Sequence, residues 1–412
     1  MLRIEGTIVN HNGQKEGSVE INTATGLIES IGKAKGRSDL DTTGCLIFPG
    51  FGDLHVHSRE DASGTQNYKE DFFSMSQAAI AGGVVHVADM PNNPVAPVDD
   101  EKYAAKKVLA EKSLVNVTLY AGIGPETQPL KIRVPYKAFM GPSVGDLFFS
   151  SQQQLELAIA KYEGQNVSFH CEDPVILEDN KNAATHEAQR PSSAEVTATD
   201  FALHLIEKYN LVGKLCHYST KEGLPKIKAA KARGLAVTVE ATPHHLFFDD
   251  TQLTDANRKW LQMNPPLRSP EDRFALIEAL RSGDIDYLAT DHAPHTIEEK
   301  EKGTSGVPHL DTYTAFATWL MFEHNFTSSD IARVCSYNPG RFVNEFLPET
   351  LGKGFGMVAP GYVGSLTIVD RRHPHIVSRD AIKSKSGWSP FEGLTMPGRA
   401  KFTVVRGKIY YS

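Results

Sequence analysis

The chain has 412 residues, with 43 Lys plus Arg against 50 Asp plus Glu and a formal net charge of −7. That mildly acidic balance, without a basic block, excludes a nucleic-acid binder and its clustered positive footprint. Hydrophobic residues at 40% and charged residues at 23% give a globular composition, excluding disordered and collagen-like classes.

No apolar run reaches the roughly 18 residues of a bilayer span, and the opening MLRIEGTIVN lacks a signal peptide's apolar segment, so a cytoplasmic protein without membrane contact is expected. Cys45, Cys171, Cys216 and Cys335 show no paired spacing, which predicts reduced thiols rather than a disulfide framework or a cysteine-built zinc module. Histidine stands out, with sixteen in the chain, several at the ends of apolar runs.

Taken in chain order, the first fifty residues read as short strands: LRIEGTIV, a turn at His11-Asn12-Gly13, SVEINTATGLIESIG, then GCLIFPG. A unit this small buries too little core alone. The other chain end supplies GYVGSLTIVD and FTVVRGKIYYS, so residues 1–49 together with 351–412 are expected to build one small β-domain.

Between them lie eight short apolar runs: 50–57, 84–90, 115–123, 134–140, 166–172, 214–220, 235–242 and 285–292. The intervening DDEKYAAKKVLAEK, QQQLELAIAKYEG and TKEGLPKIKAAKARG place apolar residues three or four apart on charged backgrounds, as surface helices do. Eight strand–helix units over about 250 residues are the arithmetic of an α/β fold of the (β/α)8 TIM-like barrel type, here spanning 50–350. A doubly wound open sheet is the competitor, but no GxGxxG or GxxxxGK[ST] follows any run. No internal repeat or heptad pattern suggests an array or filament.

In such a barrel the C-terminal strand ends share one mouth, where the chemistry sits. Those ends carry His55, His57, Lys137, His170, His217 and Asp291. Period-two alternation puts both imidazoles of the His55-x-His57 pair on one face, able to reach one ion. An isolated HxH is common by chance; histidines at two later strand ends and an aspartate at the last make coincidence a poor explanation. Imidazoles with one carboxylate suit zinc and related divalent ions. Two ions fit better than one, with His55, His57 and Asp291 at one and His170 and His217 at the other. Lys137 would bridge them if its buried amine had reacted with CO2 to give a carbamate, whereas the plain reading is a salt-bridged lysine.

The segments GFGDLHVHSRE (50–60), Met90-Pro91-Asn92, TPHHL (242–246), NPPLR (264–268), TDHAPH (290–295) and WSPFEG (388–393) resemble the signature stretches of the dihydroorotases, in the amidohydrolase superfamily. The likeness runs from about residue 40 to the end. It implies reversible cyclisation of N-carbamoyl-L-aspartate to L-dihydroorotate, a step of pyrimidine synthesis. The centre implied holds two Zn2+ bridged by N6-carboxylated Lys137 and a hydroxide, with His55, His57 and Asp291 on one ion, His170 and His217 on the other, and Asp291 as general acid and base. Arg59, Asn92 and His295 match positions that bind the substrate carboxylate, and Asn264 one that contacts the ring. The family often continues Arg-Glu-Pro-Gly where this chain has Arg59-Glu60-Asp61-Ala62, a departure bearing on the loop rather than on the arginine.

A small-molecule substrate is thus expected, with a homodimer as the assembly considered. Hydantoinase or allantoinase chemistry shares the barrel, HxH and lysine, but Arg59, Asn92 and His295 favour a carboxylate-bearing ring. An inactive barrel acting as scaffold for a pyrimidine-pathway enzyme would typically lack a ligand, and all six candidates are present. Among the remaining residues, His244, His245 and His292 stay open between contacts at the mouth and packing. Alternation should turn Cys171 and Cys216 away from the mouth, although Cys216 with Glu240 could frame an extra metal site. His86 reads as a core histidine, and His11, His186, His204, His324, His373 and His375 as structural. The stretch 296–309 reads as a solvated loop whose Gly306 to Pro308 could line the pocket.

Overall fold

The computed structural model describes residues 1–142 and 147–411. The chain opens with strands β1 (Leu2–Asn10), β2 (Gly13–Asn22), β3 (Leu27–Gly32) and β4 (Cys45–Pro49). Asn10 pairs with Gly13 across the first turn, where the sequence placed it. The barrel run is β5 (Phe51–Val56), β6 (Val84–Asp89), β7 (Asn116–Leu119), β8 (Ala121–Ile123), β9 (Tyr136–Phe139), β10 (Asn166–His170), β11 (Val212–Leu215), β12 (Val237–Ala241) and β13 (Tyr287–Leu288). The end of the chain adds β14 (Leu366–Asp370), β15 (His375–Ile376), β16 (Thr395–Met396), β17 (Arg399–Val405) and β18 (Lys408–Tyr411).

Seven terminal strands form one mixed sheet in the order β18-β17-β14-β4-β1-β2-β3. Neither chain end supplies enough apolar surface alone. Together they bury Ile4, Ile8, Val19, Ile21 and Ile47 against Leu366, Ile368 and Val404, all at 0–1% exposure. The stretch between β14 and β17 leaves this sheet and packs against the barrel: the Lys383 amide donates to Asp311, Ser384 to Glu70, and the Trp388 indole to the His295 carbonyl at 2.9 Å.

All eight predicted runs are strands of a parallel barrel. The third is divided at Tyr120, with β7 pairing to β6 and β8 to β9, so it joins the two arcs. Closure is made by a Val56–His292 bridge, by the His57 amide donating to the His292 carbonyl at 2.8 Å, and by the Thr290 amide donating to Asp53 at 3.0 Å. The strands are buried on both faces, which is why they read as near-continuous apolar runs. Where β4 passes into β5, a Cβ on Gly50 would lie 2.2 Å from Val85, so only glycine fits this junction.

Helices 100–110, 152–159 and 224–232 fall within the three segments predicted helical. One crossing differs from strict strand–helix alternation. Residues 124–135, all described, carry no helix between β8 and β9. Pro125, Pro129 and Pro135 explain this, since proline lacks the amide donor and clashes with a helix interior.

Candidate metal centre

The six strand-end residues converge at the barrel mouth. His55, His57, Arg59, Asn92, His170, His217, Asn264 and Asp291 line one small cavity of about 30 Å3. Lys137 lies beside it on β9, fully buried, and His295 sits behind Arg59. Arg59, His217 and Asp291 adopt left-handed backbone conformations, with φ of 63°, 36° and 51°. Each costs of order 1–3 kcal/mol for a non-glycine residue, and such strain clusters where side chains must be aimed.

The first group is held by convergent acceptors. His55 Nδ1 bonds Glu240 Oε1, and because a carboxylate only accepts, Nδ1 carries the proton. His57 Nδ1 donates likewise to Asn92 Oδ1 at 2.8 Å. Both Nε2 lone pairs are then free, and they point at one atom, Asp291 Oδ1, from 3.2 and 3.0 Å. Two lone pairs facing one carboxyl oxygen repel unless a proton or a cation lies among them, and two imidazoles with a carboxylate within reach of one point are a donor set that fits a divalent metal.

The imidazoles are neutral, as metal binding requires. Burial, then the Lys137 ammonium, holds His55 well below its ordinary pKa; burial and then Arg59 do the same for His57. Burial pushes the Asp291 carboxyl up to about 7, with Lys137 opposing and Glu240 reinforcing the rise.

The second group is His170 and His217. His170 Nδ1 lies 2.8 Å from His217 Nε2, and His170 Nε2 donates to Glu172 at 2.7 Å. Glu172 is clamped by Arg190, whose Nε lies 3.0 Å from Oε1. His217 Nδ1 is buried without a partner. Lys137 Nζ stands 2.8 Å from Cys216 Sγ, and its charge is felt by His55, His57, His170, His217 and Asp291 alike, which puts it central to both groups.

Cys216 corrects the sequence reading. It faces Lys137 rather than away, and it shares a close group with His55 and Glu240, as the extra-site alternative had it. Glu240 was named only as an extra-site residue; it accepts from His55 Nδ1 and from the His217 amide, and pairs with buried Lys214. Glu172 was missed altogether. The available signal was charge inside apolar runs, since Lys214, Glu240 and Glu172 each interrupt or directly follow a strand buried on both faces.

Arg59 lines the same cavity. Its Nε donates to the Pro294 carbonyl at 3.3 Å and its Nη2 to His295 Nε2 at 3.1 Å. The other three N–H groups have no acceptor among the described residues. Asn264 Oδ1 is buried and unpartnered in the same cavity. The stretch 296–309 is no solvated loop: it contains helix Ile297–Glu301, and Lys300, at 0% exposure, donates to the carbonyls of Gln262, Thr304 and Gly306 at 2.7–3.0 Å. Gly306 lines the cavity as expected, and a Cβ there would meet the Ala293 carbonyl at 2.8 Å.

The open histidines resolve as packing partners. His245 bonds Thr242 and the Pro265 carbonyl, His244 bonds His309 at 2.9 Å, and His292 Nδ1 accepts from the His309 and Leu310 amides. His86 is buried against Phe355.

The model of the amidohydrolase family matches residues 46–410. The dihydroorotase of Geobacter metallireducens is 33% identical over 98% of both chains, and that of Bacillus subtilis 32% identical over 98% of this chain and 97% of its own. Among solved structures, the L-hydantoinase of Arthrobacter aurescens superposes with a TM-score of 0.87 at 23% identity, covering 100% of this chain and 96% of its own. A D-hydantoinase from Thermus sp. gives 0.84 at 24%, covering 99% and 95%. At such identities the structural likeness speaks for the fold.

Proposed function

The chain belongs to the amidohydrolase family, and from that membership and the chemistry of the cavity we propose that it catalyses the dihydroorotase reaction, the reversible ring closure of N-carbamoyl-L-aspartate to L-dihydroorotate. The observation that carries this reading is one cavity holding both the convergent His55, His57 and Asp291 donors and the unpaired edge of Arg59. In this reading His55, His57 and Asp291 hold one Zn2+, His170 and His217 the other, and N6-carboxylated Lys137 joins them. Such ions supply Lewis-acid polarisation of a carbonyl and activation of water at neutral pH.

The chain's own residues supply the rest. Arg59 receives the ring carboxylate, because its planar fork donates two parallel hydrogen bonds that a lysine could not reproduce. Asn92, in the same cavity, joins Arg59 at the carboxylate, and Asn264 contacts the ring. As the ring amide C–N bond breaks, Asp291 takes the proton of the attacking water and delivers it to the leaving nitrogen; in closure the proton runs the other way. His295 belongs to the same site through Arg59. No helix among the described residues is long and apolar enough to cross a membrane, and a cytoplasmic site of action is part of the proposal.

The test is ultraviolet absorbance of the dihydroorotate ring in both directions, on protein given zinc and bicarbonate, beside metal analysis. Turnover with close to two ions per chain supports the reading. Turnover of a hydantoin or allantoin in preference moves the substrate assignment, and metal binding with no turnover of any cyclic amide favours a scaffold.

A further inference from the structure

The residue carrying the ring carboxylate in the proposed function is itself held from behind. His295 is fully buried, and its Nδ1 lies 3.0 Å from Glu299 Oε2. A carboxylate can only accept, so the single proton of this neutral imidazole is on Nδ1. Nε2 is then a lone pair, and it accepts from Arg59 Nη2 at 3.1 Å. With Nε bonded to the Pro294 carbonyl, the guanidinium plane is fixed by two neighbouring acceptors, and its remaining donors belong to the cavity.

Glu299 is anchored in turn. Tyr68 Oη donates to its Oε1 at 2.7 Å, and Lys69 Nζ is 2.9 Å away. Lys69 Nζ also stands 3.5 Å from His295 Nδ1. If the carboxylate were removed, that ammonium would be the nearest polar group to Nδ1, and an ammonium only donates. The imidazole proton would move to Nε2 and point at the Arg59 N–H, replacing an acceptor with a donor.

We propose that Glu299 is a positioning residue: by fixing the tautomer of His295 it aims Arg59 at the ring carboxylate of the substrate, and so sets substrate affinity from outside the cavity. This rests on the dihydroorotase reading for the substrate, but not for the tautomer.

The experiment compares Glu299→Leu and Glu299→Gln with wild type in the metal-loaded enzyme. Glu299→Leu is expected to raise KM about 10- to 100-fold with kcat within about 3-fold and metal content unchanged, the signature of lost uniform binding. Glu299→Gln keeps an oxygen to accept from Nδ1 and should return KM to within about 3-fold of wild type. Inhibition by orotate should weaken with KM, while inhibition by uracil, the same ring without a carboxylate, should not.

Nitrogen-15 shifts of His295 read the tautomer without turnover, with Nδ1–H in wild type and Nε2–H in Glu299→Leu. Unchanged KM in Glu299→Leu, failure of Gln to rescue, or the same tautomer in both proteins overturns the proposal. If wild type turns over no dihydroorotate, the functional reading fails, and the nitrogen shifts still decide the tautomer relay.

Discussion

At the scale of single residues, the candidate centre depends on buried charges that must remain paired. Glu240 and Lys214 are 0% and 1% exposed and form an ion pair inside the barrel. Removing one partner leaves the other charged and buried, which typically costs about 3–5 kcal/mol, whereas replacing both by apolar groups is often nearly neutral. Glu240→Leu should therefore destabilise the metal-free protein by about that amount, and adding Lys214→Met should recover much of it. Urea denaturation of the four proteins in this cycle measures the difference, and simple additivity would refute the coupling. Lys137 invites the opposite experiment, because its charge reaches both donor groups and, in the proposed function, its carbamate would join two ions. Lys137→Ala should lose one of two ions while retaining the fold; full retention of both by metal analysis would exclude the carbamate bridge. Much of this was legible in sequence, because metal-ligand residue types stood at the ends of apolar runs. Glu172 and the true direction of Cys216 were not. Both depend on which groups the neighbouring strands and loops bring opposite them, and that leaves no trace in residue spacing.

At the scale of elements, the barrel strands announced themselves because burial on both faces demands continuous apolar runs, and the helices because their charged faces are periodic. The crossing 124–135 broke the alternation for a reason also written in the sequence, its three prolines, which strand counting alone does not weigh. The helix at 297–301 was hidden for a different reason. Its charged residues resemble a solvated surface, yet Lys300 is buried because three loop carbonyls satisfy its ammonium, a condition only tertiary structure reveals. The terminal sheet holds a comparable device. Glu5 on β1 accepts from the backbone amides of Lys35, Gly36 and Arg37 and pairs with Arg3 at 2.7 Å, pinning the segment that follows β3. The Lys35 amide, ahead of the other contacts, holds the Glu5 carboxyl down at about 2 against an ordinary 4.5. A depressed carboxylate contributes stability that is complete above the unfolded value and is lost as pH falls through the folded one. Protection of the 35–37 amides in hydrogen exchange should therefore decline between pH 4.5 and 2. In Glu5→Gln it should be low throughout, and protection that survives the substitution would show that the segment is held by other contacts.

At the scale of the whole molecule, the two chain ends meet in one sheet, and its topology says how closely. We propose that 1–49 with 351–412 and 50–350 are the two folding units, joined without a linker at Gly50. β1 runs parallel to β4; β14 opposes β4, β17 opposes β14 and β18 opposes β17. Following these directions, β18 ends on the same side of the sheet where β1 begins. The two strands are four steps apart in the order β18-β17-β14-β4-β1, which at about 4.8 Å per step is roughly 19 Å. A flexible linker of about ten residues spans that distance. Opening the chain between Arg233 and Gly234 would place new ends in an exposed turn between helix 224–232 and β12, at the N-terminal face of the barrel and away from the mouth. Such a circular permutant should fold, bind the same number of metal ions as wild type, and keep its kinetic constants within about threefold, because no contact of the site depends on chain order. Deleting β17 and β18 should do the reverse, stripping Val404 and Phe402 from the small core and leaving an edge of β14 unpaired. Soluble, metal-loaded protein from the permutant and aggregation of the truncation are the paired outcomes expected. A permutant that fails to fold while the truncation folds would mean that the barrel, not the joined ends, organises the terminal sheet.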